Sequence, residues 1–320
     1  MNLLASMRYL VALSEHRHFG RAAQACYITQ PALSNALRAL ESEFGVVIVK
    51  RGRTYAGLTH EGEAVLAAAH RMLHENEVLQ QLLKSEEAHP RGSLRMAAVP
   101  TAIPILTRFA GRLQARHPGI APTVLSMSSV ELEAGLESLS LDIALGYTER
   151  MHVREVKLTA WPQSIEHYFL VRRCERVQAK ALQIGEPIGW AEAGRLPLCL
   201  LTPEMHNRSI LDQAFAASGV AVAPAIETNS VLTLALSVGA GEVCAVLPGA
   251  MVDAIRSHGQ LEALPLVAPE VRTPIGFMTQ TAVRPSRALE AALALIQSPE
   301  WQQEVAAHSG ALRGTPSFLS

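Results

Sequence analysis

The chain reads as an α/β protein in three parts: a small N-terminal winged helix-turn-helix, one long helix, and a two-lobed α/β body. Three observations point there. Residues 19–60 hold two short helical stretches and then a basic loop, Lys50-Arg51-Gly52-Arg53. From His60 to about Ala88 there is no proline and one glycine, with apolar residues at alternating spacings of four and three. From Leu94 onward, strand-like and helix-like stretches alternate, the pattern of a sheet with helices on its faces.

Composition sets the bounds. A length of 320 residues leaves room for two or three domains, and 49% apolar residues allow sizeable cores. A net charge of −1 excludes a polybasic binder, but the charge is unevenly spread. Residues 1–60 carry seven bases against three acids, and residues 61–88 carry two against six. A basic head followed by an acidic helix suits a DNA-binding module on a neutral body.

In the head, Phe19 to Cys26 forms the first helix, with Ala22, Ala23 and Ala25 small enough for a close crossing. Thr29 is a good N-cap for the second, and Pro31 sits in its first turn, where a missing N–H costs nothing. Leu33, Ala36, Leu37, Leu40 and Phe44 recur at helical spacing and form the buried stripe. Gln30, Ser34, Asn35 and Arg38 are left on or near the outer face, and Gly45 ends the helix. Gln and Asn pair with adenine and Arg with guanine in the major groove. Val46 to Val49 is expected as a short strand, and Leu58-Thr59 as its return. The bland alternative is a helix pair with a solvated polar face. The cations beside it favour DNA, because phosphate positioning needs them there.

The same run resembles the winged helix-turn-helix of LysR-type transcriptional regulators. The resemblance rests on Phe19, Arg21-Ala22-Ala23, Thr29-Gln30-Pro31-Ala32-Leu33-Ser34, Leu40-Glu41, Gly45 and Leu58-Thr59-His60-Glu61-Gly62. Asn35 stands where that family often has Arg, Gly20 where it often has Ser or Thr, and Val49-Lys50 replaces its usual Phe and charged residue. Such departures alter which DNA is read. The candidate DNA-binding set is Arg21, Thr29, Gln30, Pro31, Ser34, Asn35, Arg38, Lys50, Arg51 and Arg53.

In the long helix, Val65, Ala69, Met72, Asn76, Leu79 and Leu83 form a heptad seam, widened by Leu66, Leu73 and Leu82. Asn76 is a polar seam residue of the kind that fixes register. Such a seam needs a partner: the plain alternative is packing on its own domain, but few residues nearby could cover it, and a homodimer matches two reading helices to two half-sites.

His89-Pro90-Arg91-Gly92-Ser93 links to the body. Strands are expected at Leu94 to Val99, Thr123 to Ser126 and Leu141 to Leu145, with helices at Pro104 to His117 and Val130 to Ser138, in a parallel sheet. A second unit holds strands at Tyr168–Val171, Leu198–Leu201 and Cys244–Leu247 and a helix from about Ile210 to Ser218. Ile275 to Thr279 and Ser286 to Gln297 then return to the first unit. Two lobes joined by two crossovers resemble the effector domain of the same regulators and the periplasmic-binding-protein type behind it. The best local match in this half runs from Glu227-Thr228-Asn229-Ser230 to Pro248. The expected division is 1–60 head, 61–89 linker helix, 92–162 with 265–305 lobe I, 163–264 lobe II, and 306–320 tail.

Ligands of open α/β sheets bind at strand C-termini, where helix N-termini offer N–H groups. Those points are Pro100, Thr101 and Ala102, then Ser128 and Ser129, and in the other lobe Thr202, His206, Asn207 and Arg208, with Asn229 nearby. Thr101, Ser128 and Ser129 offer hydroxyls, and His206 and Arg208 offer charge-assisted bonds to an anion. The plain alternative for each Ser, Thr or Asn is a helix cap. With few aromatics (Trp161, Tyr147), the expected effector is a small organic anion rather than a large planar ligand.

No Gly-x-Ser-x-Gly, phosphate-cradling Gly-rich loop or His-Glu-x-x-His is present, and the twelve His are scattered. Cys26, Cys174, Cys199 and Cys244 are far apart in sequence, against a disulfide framework or metal site, with redox sensing left open. No catalytic residue, metal or cofactor is expected. The chain starts without a charged, then apolar, export signal and has no membrane-length apolar run, so the cytoplasm is expected. The expected partners are a double-stranded DNA operator, the effector, and a homodimer that the family implies pairs again into a homotetramer, with RNA polymerase as a further candidate. The competing reading is a ligand-binding or enzymatic α/β protein whose N-terminal domain is not a DNA reader.

Overall fold

The computed structural model describes residues 2–50, 52, 54–84, 89–153, 158–174, 180–281 and 284–309. The head is built from α1 (Leu3–His16), α2 (Phe19–Ala25) and α3 (Gln30–Phe44). Asn2 caps α1 by accepting the Ala5 N–H at 3.1 Å. Met7, Leu10, Leu13, Ala22, Ala23, Leu33, Leu37, Leu40 and Ile48 form the head core. The expected strand at 46–49 reduces to one antiparallel bridge, Val49 to Leu58. Side chains replace the ladder. Glu41 Oε1 accepts the N–H groups of Ile48 at 2.8 Å and Val49 at 3.1 Å, and the Thr59 hydroxyl donates to Val47 O at 2.5 Å.

α4 (His60–Lys84) follows, capped by Thr59, whose hydroxyl oxygen accepts the Gly62 N–H at 2.9 Å. A Cβ at Gly62 would lie 2.2 Å from Ile48 O, so the base of the wing rests on the helix only because that residue is glycine. The expected seam splits in two. Leu66 and Ala69 complete the head core, whereas Met72, Leu79, Leu82 and Leu83 are exposed. Further on, buried Gln81 accepts the Ala288 N–H at 3.1 Å and ties α4 to the body.

The body continues through β1 (Gly92–Ala98), α5 (Ile103–Arg116), β2 (Ile120–Ser126), α6 (Ser129–Ser138), β3 (Ile143–Tyr147) and β4 (Leu158–Glu166). It then passes through β5 (Tyr168–Arg173), β6 (Gln183–Ile184), β7 (Ile188–Gly189), α7 (Trp190–Ala193), β8 (Leu198–Leu201) and α8 (His206–Ala217). Next come β9 (Ile226–Thr228), α9 (Val231–Ala240), β10 (Cys244–Pro248), α10 (Gly249–Ala254) and β11 (Leu261–Val267). The chain returns with β12 (Thr273–Gln280), α11 (Arg287–Ile296) and α12 (Pro299–His308).

The first sheet has the order β2-β1-β3-β12-β4, and the second β6-β11-β5-β10-β8-β9 with β7 also on β11. Neither is the purely parallel sheet expected. β12 runs antiparallel to β3 and β4, and β5 antiparallel to β10 and β11. β12 enters its sheet from the other lobe rather than through a helical crossover, so nothing holds it parallel. The chain changes sheet at His167 and again between Val267 and Thr273. Residues 163–166 therefore belong to the first sheet and 265–267 to the second, a few residues from the expected division. The polar, half-paired stretch Pro162-Gln163-Ser164 hides the strand that β12 reveals. In lobe I, Phe109 packs 4.7 Å from Phe277 and 5.1 Å from Trp301. Lobe II has a core on each face of its sheet. Residues 306–308, expected in the tail, belong to α12, and 310–320 lie outside the described residues.

Candidate functional site

The head presents one polar face. Thr29 caps α3 by accepting the Ala32 N–H at 3.4 Å, and Gly45 ends it at a φ of 66°. Leu33, Leu37 and Leu40 face inward, which turns Gln30, Pro31, Asn35 and Arg38 to solvent and leaves Ser34 half-buried. Arg38 Nη1 donates to Asn35 Oδ1 at 3.3 Å, so the departure residue and the candidate guanine reader share an orientation. Ser34, Arg38, Lys50 and Gly52 line one groove between α3 and the loop. Arg51 and Arg53 lie outside the described residues. Arg21 stands apart on α2, where its Nη2 donates to His16 O at 2.9 Å and closes the end of α1. Tyr27, 97% exposed in the left-handed turn before α3, was not among the expected residues.

A second site lies between the lobes. Pro100, Thr101, Ser128, Ser129 and Tyr147 come from lobe I, and Leu201, Met205, His206 and Asn207 from lobe II. The cavity they leave is about 10 Å³, room for about one water, so the lobes are closed on each other. Thr101 and Tyr147 share a hydroxyl hydrogen bond at 3.1 Å. Burial first, then the Glu166 carboxyl, push the Tyr147 phenol well above its usual range and keep it neutral. The His206 ring packs edge-on to Tyr147 at 4.9 Å. Its Nε2 lies 3.3 Å from Glu149 Oε1 and its Nδ1 3.4 Å from Arg150 Nη1, which latches lobe II to lobe I.

Two polar atoms here have no partner: Ser129 Oγ and Asn207 Nδ2, on residues only 7% and 5% exposed. Each sits in the first turn of a helix, α6 and α8. α8 has no side-chain cap, and of its first N–H groups that of Arg208 is answered by Met205 O at 2.9 Å. The Ser128 hydroxyl is already committed to a capping box with Glu131, donating at 2.8 Å.

Four expected effector residues do not line this cleft. Arg208 is turned under α8, donating to Leu201 O at 2.8 Å, Glu227 at 2.6 Å and Asp212 at 2.8 Å. One residue along a helix is a turn of about 100°, so Asn207 and Arg208 cannot face the same way. Thr202 donates to Glu204 at 2.7 Å, Ala102 is buried beneath the first turn of α5, and Asn229 is exposed ahead of α9. Tyr147 was not foreseen as a site residue. Its signal is a polar residue just past a strand otherwise read as core. Among the described residues, no three His, Cys, Asp or Glu are grouped to hold a metal ion.

Two family profiles match the chain. One, described as the LysR substrate binding domain, covers residues 87–299, and the other, a bacterial regulatory helix-turn-helix protein of the lysR family, covers 4–63. The DNA-binding transcriptional dual regulator OxyR of Escherichia coli is 27% identical over 284 residues, spanning 86% of this chain and 88% of that protein. The SDS degradation transcriptional activation protein of a Pseudomonas strain is 33% identical over 57% of this chain and 62% of its own length. Among solved structures, a full-length OxyR variant from Pseudomonas aeruginosa superposes with a TM-score of 0.67 at 24% identity, covering 92% of this chain and 94% of that one. Full-length CbnR in complex with its target DNA gives 0.64 at 19% identity, covering 94% and 99%.

Proposed function

The chain belongs to the lysR family of bacterial helix-turn-helix regulators, DNA-binding transcriptional regulators with a substrate-binding domain and not enzymes, and from that premise we propose how this member is controlled. Its operator affinity is set by a small polar metabolite taken between the lobes. The observation that carries this is the pair of buried, unpartnered atoms, Ser129 Oγ and Asn207 Nδ2, at two helix N-termini that converge on the cleft. An unpartnered buried polar group costs about 1–3 kcal/mol, and a ligand supplying its hydrogen bond recovers that cost. A carboxylate fits donors of this kind. The anion is held by Asn207, Ser129 and backbone N–H groups rather than by Arg208, whose charge is answered by Glu227 and Asp212. Opening of the lobes admits the metabolite, and its preference for one lobe arrangement shifts the DNA-binding assembly.

The head reads DNA through Gln30, Ser34, Asn35 and Arg38, with Lys50 and the basic loop on phosphates. The protein works where the DNA is, in the cytoplasm. Among the described residues no helix is long and apolar enough to cross a membrane. Some relatives are named for induction by hydrogen peroxide. A thiol sensor is a poor account of this chain. Burial pushes all four thiols, Cys26, Cys174, Cys199 and Cys244, above their usual range, and none lines the cleft.

The test is a gel shift on the DNA upstream of the chain's own gene, across a salt series with a random competitor, followed by a metabolite screen on the complex. Selective binding that weakens with salt, and a metabolite that changes it for the native chain but not for Asn207→Leu, is the expected result. A response retained in Asn207→Leu would remove the cleft from the account.

A further inference from the structure

The head does not hang from the body by α4 alone. Arg95 on β1 donates from Nη2 to Glu15 Oε1 on α1 at 2.7 Å. Beside it, the Asp142 carboxylate accepts the Arg95 backbone N–H at 2.7 Å and lies 3.6 Å from His74 Nδ1 on α4. The Ser93 hydroxyl donates to Glu77 of α4. These contacts surround a polar cavity of about 390 Å³ between head, linker helix and lobe I. His70 also lines it. Burial and the nearby Arg95 guanidinium lower its pKa to about 4, so it stays neutral and adds no second cation to Arg95 at neutral pH.

The lobe I elements that reach this junction also reach the cleft. β1 carries Arg95 and leads into Pro100 and Thr101. α6 starts at Ser129 in the cleft, and Leu139 just past its end lines the junction cavity. β3 follows Asp142 and ends at Tyr147. Three short regular elements therefore have one end at each site. A shift of lobe I that reseats Ser129 or Tyr147 moves Leu139, Asp142 and Arg95 with it.

We propose that the Arg95–Glu15 ion pair is the contact by which lobe I sets the orientation of its own DNA-binding head, which makes both positioning residues for operator spacing. The inference rests on the DNA reading of the head, and only its trigger rests on the effector reading of the cleft. Both side chains are partly exposed, at 34% and 44%, which makes the pair a light contact that a lobe movement can break.

The experiment uses the full chain and duplexes carrying two selected half-sites at several spacings, with a single half-site as control. Native protein prefers one spacing. Arg95→Gln and Glu15→Gln each flatten that preference, by about threefold per head and about tenfold for a pair of heads, and leave the single half-site unaffected. The double variant flattens it no further, as two members of one contact must. Additive losses, or an unchanged spacing profile in folded Arg95→Gln, overturn the proposal. A native chain that binds no half-site fails the DNA reading instead, and the proposal falls with it.

Discussion

Glu166 closes β4 one residue before the chain leaves lobe I, with its carboxyl fully buried and one oxygen without a hydrogen-bond partner. Burial drives its pKa from an ordinary 4.5 to about 8, so it is a neutral acid in the folded protein at pH 7. The unfolded chain ionises between those values while the folded one does not. Stability from this group is therefore whole below pH 4.5 and falls as pH rises toward 8. Glu166→Gln should gain about 3 kcal/mol at pH 7 and close to nothing at pH 4, read from urea unfolding at the two pH values. A loss at pH 7 would mean that the carboxyl makes a bond glutamine cannot. At the DNA face, Arg38→Ala should cost roughly 1–3 kcal/mol of discrimination between operator and random duplex. Equal weakening on both would place Arg38 on phosphate. Asn35→Ala tests the same geometry from the other side, since Asn35 Oδ1 holds the Arg38 guanidinium at 3.3 Å. Its loss should broaden the accepted sequence at the Arg38 position, measured by selection from a random pool.

Among the elements, α4 has two owners. One face belongs to its own head and body, through Leu66, Ala69 and Gln81, and the other exposes Met72, Leu79, Leu82 and Leu83. Leu79→Glu with Leu83→Glu should split the homodimer while the monomer keeps its helix content, checked by light scattering and circular dichroism. Retention of the dimer would move the interface off α4. The period of the apolar residues made this helix legible, but period alone does not say which partner covers which turn. The same limit acts elsewhere. β8 matched its expected bounds because Leu198 to Leu201 is a short apolar run between turn residues, whereas β4 went unread because its pairing with β12 fixes it more than its own pattern does. α1 also went unread, although Asn2 and the spacing of Met7, Leu10 and Val11 carry the signal. In the cleft, the helix starts were visible as Ser, Thr and Asn. Which of them stay unpaired was not, because that depends on neighbours such as Glu131 for Ser128 and Tyr147 for Thr101.

At the scale of the molecule, each lobe exposes apolar side chains on an edge strand and on a helix. Val124 of β2 and Val130 of α6 are exposed on lobe I, and Ile226 of β9 with Leu232 and Leu236 of α9 on lobe II. Uncovered edges and apolar helix faces ask for a partner. A second copy laid head to tail would cover both. Leu232→Glu with Leu236→Glu should give a dimer that binds one half-site pair and forms no larger complex on DNA, checked by light scattering and gel shift. A tetramer that survives would leave those leucines without a role in assembly. The divided ownership of α4 has a consequence for descent and for engineering. A head grafted onto another body at residue 60 would arrive without Leu66 and Ala69, which complete its core, and would meet foreign side chains in their place. The unit that can be inherited or transplanted intact thus ends midway along a helix, and the natural place for a splice is inside an element, not at the loop before it.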